Sequence, residues 1–362
     1  MNDIQIANHR NDDEIDLAQL MKTLWLGKKT IIGSIFLFTI IAITYALAAQ
    51  QWWTSSAIVT TGQYSNIASL RQQVANFYVV SNNNNNNNNN KDKNTDQHNI
   101  TEMNKLLNSN EMLRQYVMEF NAFNNKKSFI LSNPIMKEYA NGTNKKNEMS
   151  FVNNWAKKIQ ASLTDKKENG VYTLSYQATD SELSHQLLLS YSQFIDKKVK
   201  KDVFDGLAAV IRNQTLIFKS QLLSLEIQAK ELKQQELVKT DYALKIANSA
   251  KANKPMPQMN NNQLFSIDLG SEGLSEKSKI LKQMTGLSLF EPSIIMIRSN
   301  LDILSTIKLN SKTKFEPISY LQNIGYPITR DKPKRALIVI LGLLLGGMFG
   351  VAIVLLKSAF DK

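Results

Sequence analysis

Two windows near the ends of the chain, Thr30 to Ala49 and Ala336 to Leu356, hold no charged residue over 20 and 21 positions. As helices each would be about 30 Å long, the thickness of a bilayer's hydrocarbon core. Buried helices of globular proteins rarely run so far without a charge, so both are read as transmembrane. Ala46-Leu47-Ala48 has the form of a signal-peptide cleavage site. Against cleavage, 29 residues with five acidic ones precede the run, and the run outlasts a typical apolar signal core. The first window is therefore a retained anchor. The chain divides into a short segment 1–29, spans 30–49 and 336–356, a large loop 50–335 between them, and a tail 357–362.

Charge sets the orientation, with one conflict. Lys22, Lys28 and Lys29 precede the first span and no basic residue follows it until Arg71, which places the N-terminus in the cytoplasm. Arg330, Lys332, Lys334 and Arg335 instead crowd the loop side of the second span. The first span usually dominates and long loops translocate largely regardless of charge, so the loop is placed outside the cytoplasm. The net charge of +12 resides in that loop, because the two ends nearly cancel. A basic surface there suits anionic glycans or lipid headgroups as well as plain solvation. The absence of cysteine excludes disulfides and thiolate chemistry.

Along the chain, Ile15, Leu17, Leu20, Met21, Leu24 and Trp25 share a helical face and form an amphipathic approach to the first span. WTSSAIVTTG after it reads as a strand. Nine asparagines, Asn82 to Asn90, cannot bury a core and read as a disordered loop. MNKLLNSNEMLRQYVMEF and MSFVNNWAKKIQASL read as helices, and GVYTLSYQ as a second strand. Thr179-Asp180-Ser181-Glu182 has capping-box form. From there to Pro255 the only glycine is Gly206, so a helix over 181–249, about 100 Å long, is predicted. Phe204, Ile211, Phe218, Leu225 and Leu232 recur every seven residues as a packing seam. Three residues after most of them come Gln214, Gln221, Gln228 and Gln235, a polar edge suited to facing water beside one packed neighbour. The returning chain reads as helices interrupted at Thr285-Gly286 and restarted near Pro292. FEPISYLQNIGYPI supplies a last strand beside the first. The expected class is α+β: a mixed α/β base with a very long protruding helix, flanked by two transmembrane helices.

Chemistry is scarce. His9, His98 and His185 lack metal-ligand spacing, and His185 reads as a helix-surface residue. Around Gly27-Lys28-Lys29-Thr30, Lys22 and Lys29 stand where a phosphate loop needs glycine and Ser or Thr. No catalytic residue, metal ligand or cofactor site is assigned, and nothing points to nucleic acid. Gly342, Gly346 and Gly350, with Gly347 beside them, form overlapping G-x-x-x-G steps that allow close helix approach. Pro327, Arg330, Asp331 and Pro333 mark the membrane-proximal segment.

IDLAQLMKTLWLGKKTII, WTSSAIVT, LKIANSAKANKP, LFSIDLGSEGL, and YPITRDKPKRA followed by LGGMFG together resemble the Wzz-type chain-length determinants of bacterial O-antigen. These are class 1 polysaccharide co-polymerases. Residues 60–150 depart most from that pattern. The resemblance implies an inner-membrane protein with cytoplasmic termini, a periplasmic base and a long helix, assembled as a homo-oligomeric ring. It implies no catalysis; the ring sets the modal length of O-antigen with a membrane-embedded polymerase, and the growing polysaccharide is a further partner. Enterobacterial common antigen or capsule are the alternative glycans. A two-span sensor or a kinase-coupled capsule regulator would call for a cytoplasmic domain beyond the six-residue tail. An efflux adaptor would share the helical hairpin without a second span.

Overall fold

The computed structural model describes residues 17–85, 93–140, 145–165, 170–256 and 264–360. Ile15 and asparagines 86–90 lie outside them. Asparagines 82–85 extend the helix Ala75–Asn85, where a disordered tract is expected from composition. The chain forms two compact units, one from 1–59, 121–193 and 320–362, the other from 60–120 and 194–319.

A sheet of four strands, β1 (Trp53–Thr61), β2 (Ile159–Leu163), β3 (Val171–Ala178) and β4 (Ile318–Gln322), ordered β2-β3-β1-β4, lies mostly in the first unit. Strands β1, β3 and β4 lie where β-branched and aromatic runs predict them, with β4 beside β1. Strand β2 corrects the sequence reading, which ran a helix through it. The helix Lys145–Ala156 stops, Lys157 and Lys158 turn, and Ile159 and Ala161 point inward with Gln160 and Ser162 outward. That alternation is the period of a strand. β2 runs antiparallel to β3, with Ile159 opposite Tyr176 and Leu163 opposite Tyr172. On β2's outer edge the Asn121 side chain accepts from the Ala161 N–H at 3.0 Å and donates to its carbonyl at 2.8 Å. An amide thus occupies part of an edge that would otherwise template another strand.

Aromatic rings fill the space between the sheet and its helices. Tyr176 meets Tyr191 at 6.4 Å between centroids, and Tyr191 meets Phe129 at 5.0 Å. Burial pushes the Tyr176 phenol far above its ordinary range, because phenolate has no solvation there. Its hydroxyl donates to the Met136 sulfur at 3.7 Å.

The helix Ser181–Ser249 runs 69 residues, about 100 Å. Its start differs from the predicted capping box. Asp180 Oδ1 accepts from the Leu183 N–H at 2.8 Å, so Asp180 is the cap, while Glu182 accepts from Gln186 at 2.7 Å. The helix begins at Ser181, so Asp180 rather than Thr179 holds the N-cap position, with its carboxylate at the free N–H groups of the positive end.

In the second unit, the long helix packs on the return helices Gly270–Gln283 and Ser293–Ser305, separated by a short turn Leu287–Leu289. The interruption falls at Thr285-Gly286 and Pro292, as predicted. Ala243 and Ala247 let Leu274 close against the long helix, with Phe265 and Ile267 around them. Polar contacts align the pair: Lys233 Nζ donates to the Met284 carbonyl at 2.6 Å, Ser278 Oγ to Asp241 at 2.8 Å, and Arg298 to Glu226 at 2.7 Å. Gly270 turns the chain with φ +66°, and a Cβ there would lie 2.6 Å from the Lys254 carbonyl, so only glycine fits.

Candidate functional site

The two apolar windows form helices Lys28–Ala48 and Arg335–Phe360, both long and apolar enough to cross a membrane. They pair along one seam, while Phe36, Leu37, Leu344 and Phe349 and other large side chains stay exposed. A soluble core helix would be covered on those faces. The seam is built by the glycines. A Cβ on Gly346 would sit 2.7 Å from Ile35 Cα, and one on Gly350 2.7 Å from Ile31 Cα. Added to Gly342, it would strike Ala42 Cβ. The helices therefore meet backbone to backbone, and Ser34 Oγ donates to the Gly346 carbonyl at 2.8 Å across the seam. Gly347 lies off it; its nearest neighbour would be the Ile35 side-chain tip at 3.9 Å. The spacing of the glycines identifies the face, and the structure adds that this chain's own first helix lies against it.

The membrane-proximal segment is pinned along its length. Ser55 Oγ donates to the Gly325 carbonyl at 2.8 Å, and Ser181 Oγ to the Pro327 carbonyl at 3.0 Å. His185 stacks on Tyr326 with centroids 3.8 Å apart, so it faces a partner ring rather than lying open on the helix surface. The Asp331 N–H donates to the Trp52 carbonyl and the Trp52 N–H to the Lys332 carbonyl, at 2.9 and 3.1 Å. Arg335 Nε then donates to the Ala46 carbonyl at 3.2 Å, in the last turn of the helix Lys28–Ala48. Part of the basic cluster that conflicts with the charge rule thus caps the negative end of a neighbouring helix. Pro333 follows Lys332 within this segment, and Arg330 is half-buried beside it.

On the long helix the heptad seam holds only over its first part. Phe204 and Phe218 are buried and Ile211 and Leu225 half-buried, but Leu232 emerges to 43 % exposure. A straight α-helix drifts about 20° per heptad, roughly 80° over the four heptads from Phe204 to Leu232. The buried row instead follows eleven-residue steps, Leu207, Phe218, Ala229 and Thr240, each about 20° past three turns of an ideal helix and so drifting the opposite way from the heptad. The glutamine row is corrected likewise. Gln228 and Gln235 are exposed and Gln221 half-buried, but Gln214 is 1 % exposed and accepts from Asn99 Nδ2 at 2.7 Å. Asn213, exposed on the helix, donates in turn to Asn99 at 2.9 Å, so Gln214 is tied to Asn99 in the interior rather than facing water. Sequence spacing did not reveal a further feature: Leu216, Ile227 and Val238, also eleven apart, are 59, 52 and 41 % exposed. Two residues offset from the buried row is about 200°, so an apolar row lies on the opposite face of the same helix. An eleven-residue count in place of seven would have found both rows.

Residues 13–141 match the family model of Wzz, the chain length determinant protein. That range includes most of 60–150, where the sequence pattern departs most to the eye. A chain length determinant protein of Salmonella typhimurium is 26 % identical over 352 residues, covering 96 % of this chain and 94 % of that one. The ferric enterobactin transport protein FepE of Escherichia coli is 26 % identical over 372 residues, covering 99 and 92 %. Among solved structures, a full-length bacterial polysaccharide co-polymerase aligns with TM-score 0.62 and 25 % identity over 96 % of this chain and 98 % of that one. The wild-type Shigella flexneri lipopolysaccharide O-antigen chain-length regulator aligns with TM-score 0.51 and 20 % identity over 77 and 100 %, a likeness of fold.

Proposed function

We propose that this chain, a Wzz-type chain length determinant by sequence and fold, limits the length of lipopolysaccharide O-antigen as a non-catalytic oligomer acting with a membrane-embedded polymerase. Its helices Lys28–Ala48 and Arg335–Phe360 span the inner membrane, with both termini cytoplasmic and residues 50–335 periplasmic. Copies assemble through the long helices, and the growing polysaccharide is held or guided by the assembly. The observation that carries this reading is the match to a chain length determinant over nearly the whole of both chains, joined to a long helix with apolar rows on opposite faces. One row is filled within the chain, and the other is available to a second copy.

Deletion in the native host tests it, with the lipopolysaccharide ladder resolved on a gel. The expected result is loss of the modal band cluster and a shift to short, unregulated chains. An unchanged ladder, with an altered profile of another surface glycan, would reassign the substrate while keeping the chain-length role. A second reading, transport of ferric enterobactin, rests on the relative of that name. It predicts that the deletion slows growth when ferric enterobactin is the iron source, whereas a chain-length determinant leaves that growth unchanged.

A further inference from the structure

Beside the junction of the two membrane helices, one side-chain cluster is unused by chain-length control as described above. Lys158 Nζ lies 3.8 Å from the centroid of the Trp52 ring and gives one N–H to Gln177 Oε1 at 3.0 Å. Trp52 is tied through its backbone to Asp331 and Lys332, three residues before the second membrane helix begins at Arg335. Among the described residues neither Lys158 nor Lys332 makes an ion pair. The Asp331 carboxylate accepts from Gln177 Nε2 at 3.4 Å. Burial, and then the neighbouring Lys332 charge, push the Lys158 ammonium below the ordinary lysine range. Among the described residues the two lysines thus lie on either side of Trp52 with neither ammonium paired to Asp331, whose carboxylate takes Gln177 instead. Ile328, four residues before Lys332 on the same segment, is 94 % exposed. Cations beside an indole, with an exposed aliphatic residue on the same segment and a helix of membrane length following it, are the elements of an interfacial lipid contact.

We propose that Lys158 and Lys332, positioned by Trp52, bind the phosphate group of an anionic membrane lipid on the loop side of the bilayer. The inference rests on the membrane-spanning reading above. A lipid phosphate would take the N–H groups that Lys158 does not give to Gln177 and would neutralise the repulsion between the two ammonium groups. The Trp52 ring would sit at headgroup depth. The basic cluster before the second span then has a function beyond capping, and its place outside the cytoplasm is no longer anomalous.

Native mass spectrometry of the full chain in neutral detergent, with phosphatidylglycerol or phosphatidylcholine added, tests this. Phosphatidylglycerol should be retained preferentially. Each lysine near an anionic headgroup contributes about five-fold, so Lys158→Gln with Lys332→Gln should lower phosphatidylglycerol affinity about thirty-fold. Lys332→Arg should keep it, and Lys332→Gln alone, at an exposed site, serves if the double variant does not fold. No preference for phosphatidylglycerol, or a preference that survives both glutamines, would overturn the proposal. So would displacement by inorganic diphosphate without any lipid preference, which would assign the cluster to a soluble anion. Carbonate extraction of native membranes separates the two levels: a chain released by carbonate defeats the spanning reading itself, whereas a chain that resists but shows no preference defeats only the lipid contact.

Discussion

A single methyl group decides much at the membrane-helix seam. At Gly346 an added Cβ would lie 2.7 Å from Ile35 Cα and 3.0 Å from the Ser34 carbonyl oxygen, both backbone atoms that can move only if the helices separate. At Gly347 the neighbour is a side-chain tip at ordinary contact distance. Gly346→Ala is therefore expected to cost about 1–3 kcal/mol, the range for overpacking, and Gly347→Ala to be neutral or slightly stabilising. Thermal unfolding of the purified full chain in detergent would separate them, and equal effects would contradict the seam. The buried amides offer a second test at this scale. Gln214→Leu strands Asn99 and should cost about 1–3 kcal/mol, while adding Asn99→Leu should recover much of the loss. A denaturant-melt double-mutant cycle reads this coupling, and strict additivity would show that the amides act independently. That Gly342, Gly346 and Gly350 share a face was legible from their spacing, whereas the place of Gly347 off the seam is read only from the packing. The Asn99–Gln214 contact was not, because it joins residues 115 positions apart that no local pattern relates.

Among the elements, the long helix carries the strongest signal and the least obvious detail. Its continuity follows from a stretch without proline and with one glycine, and its bounds follow from the cap before it and the turn after it. Its faces do not follow from heptads, since the helix stays near its natural pitch and the seven-residue seam rotates away from the neighbouring helices. The exposed row Leu216, Ile227 and Val238 is the copy–copy contact proposed above. Replacing all three by lysine should leave helical content by circular dichroism unchanged and shift the chain to smaller species in analytical ultracentrifugation. An unchanged assembly would place the contact elsewhere. By contrast, Phe218→Ala on the buried face is expected to cost about 3–5 kcal/mol in unfolding, as cavity formation does. Strand β2 shows how element type can be missed. IQASL is too short and too weakly β-branched to outweigh the helical run before it, and its strand character comes from pairing with β3 and from the bracketing amide of Asn121.

For the molecule as a whole, the topology is open to direct measurement, since the chain has no cysteine of its own. Cysteines placed at Lys22 and Ser275, both exposed, should respond oppositely to a membrane-impermeant maleimide in cells with a permeabilised outer membrane. Labelling at 275 and protection at 22 until the inner membrane is lysed is the expected pattern, and the reverse would invert the orientation. The two membrane-length helices, the 69-residue helix, three of the four strands and the family resemblance follow from the order of residues alone. Each of these depends on local composition, on periodicity or on motifs read in order along the chain. Only the tertiary structure decided which helix the glycines meet, which glutamine is buried, and that Lys158 and Trp52 stand together with Lys332. Those are juxtapositions of residues far apart in the chain. They arise because packing of apolar surface brings segments together and leaves polar and charged groups to find partners afterwards, a choice no stretch of sequence makes alone.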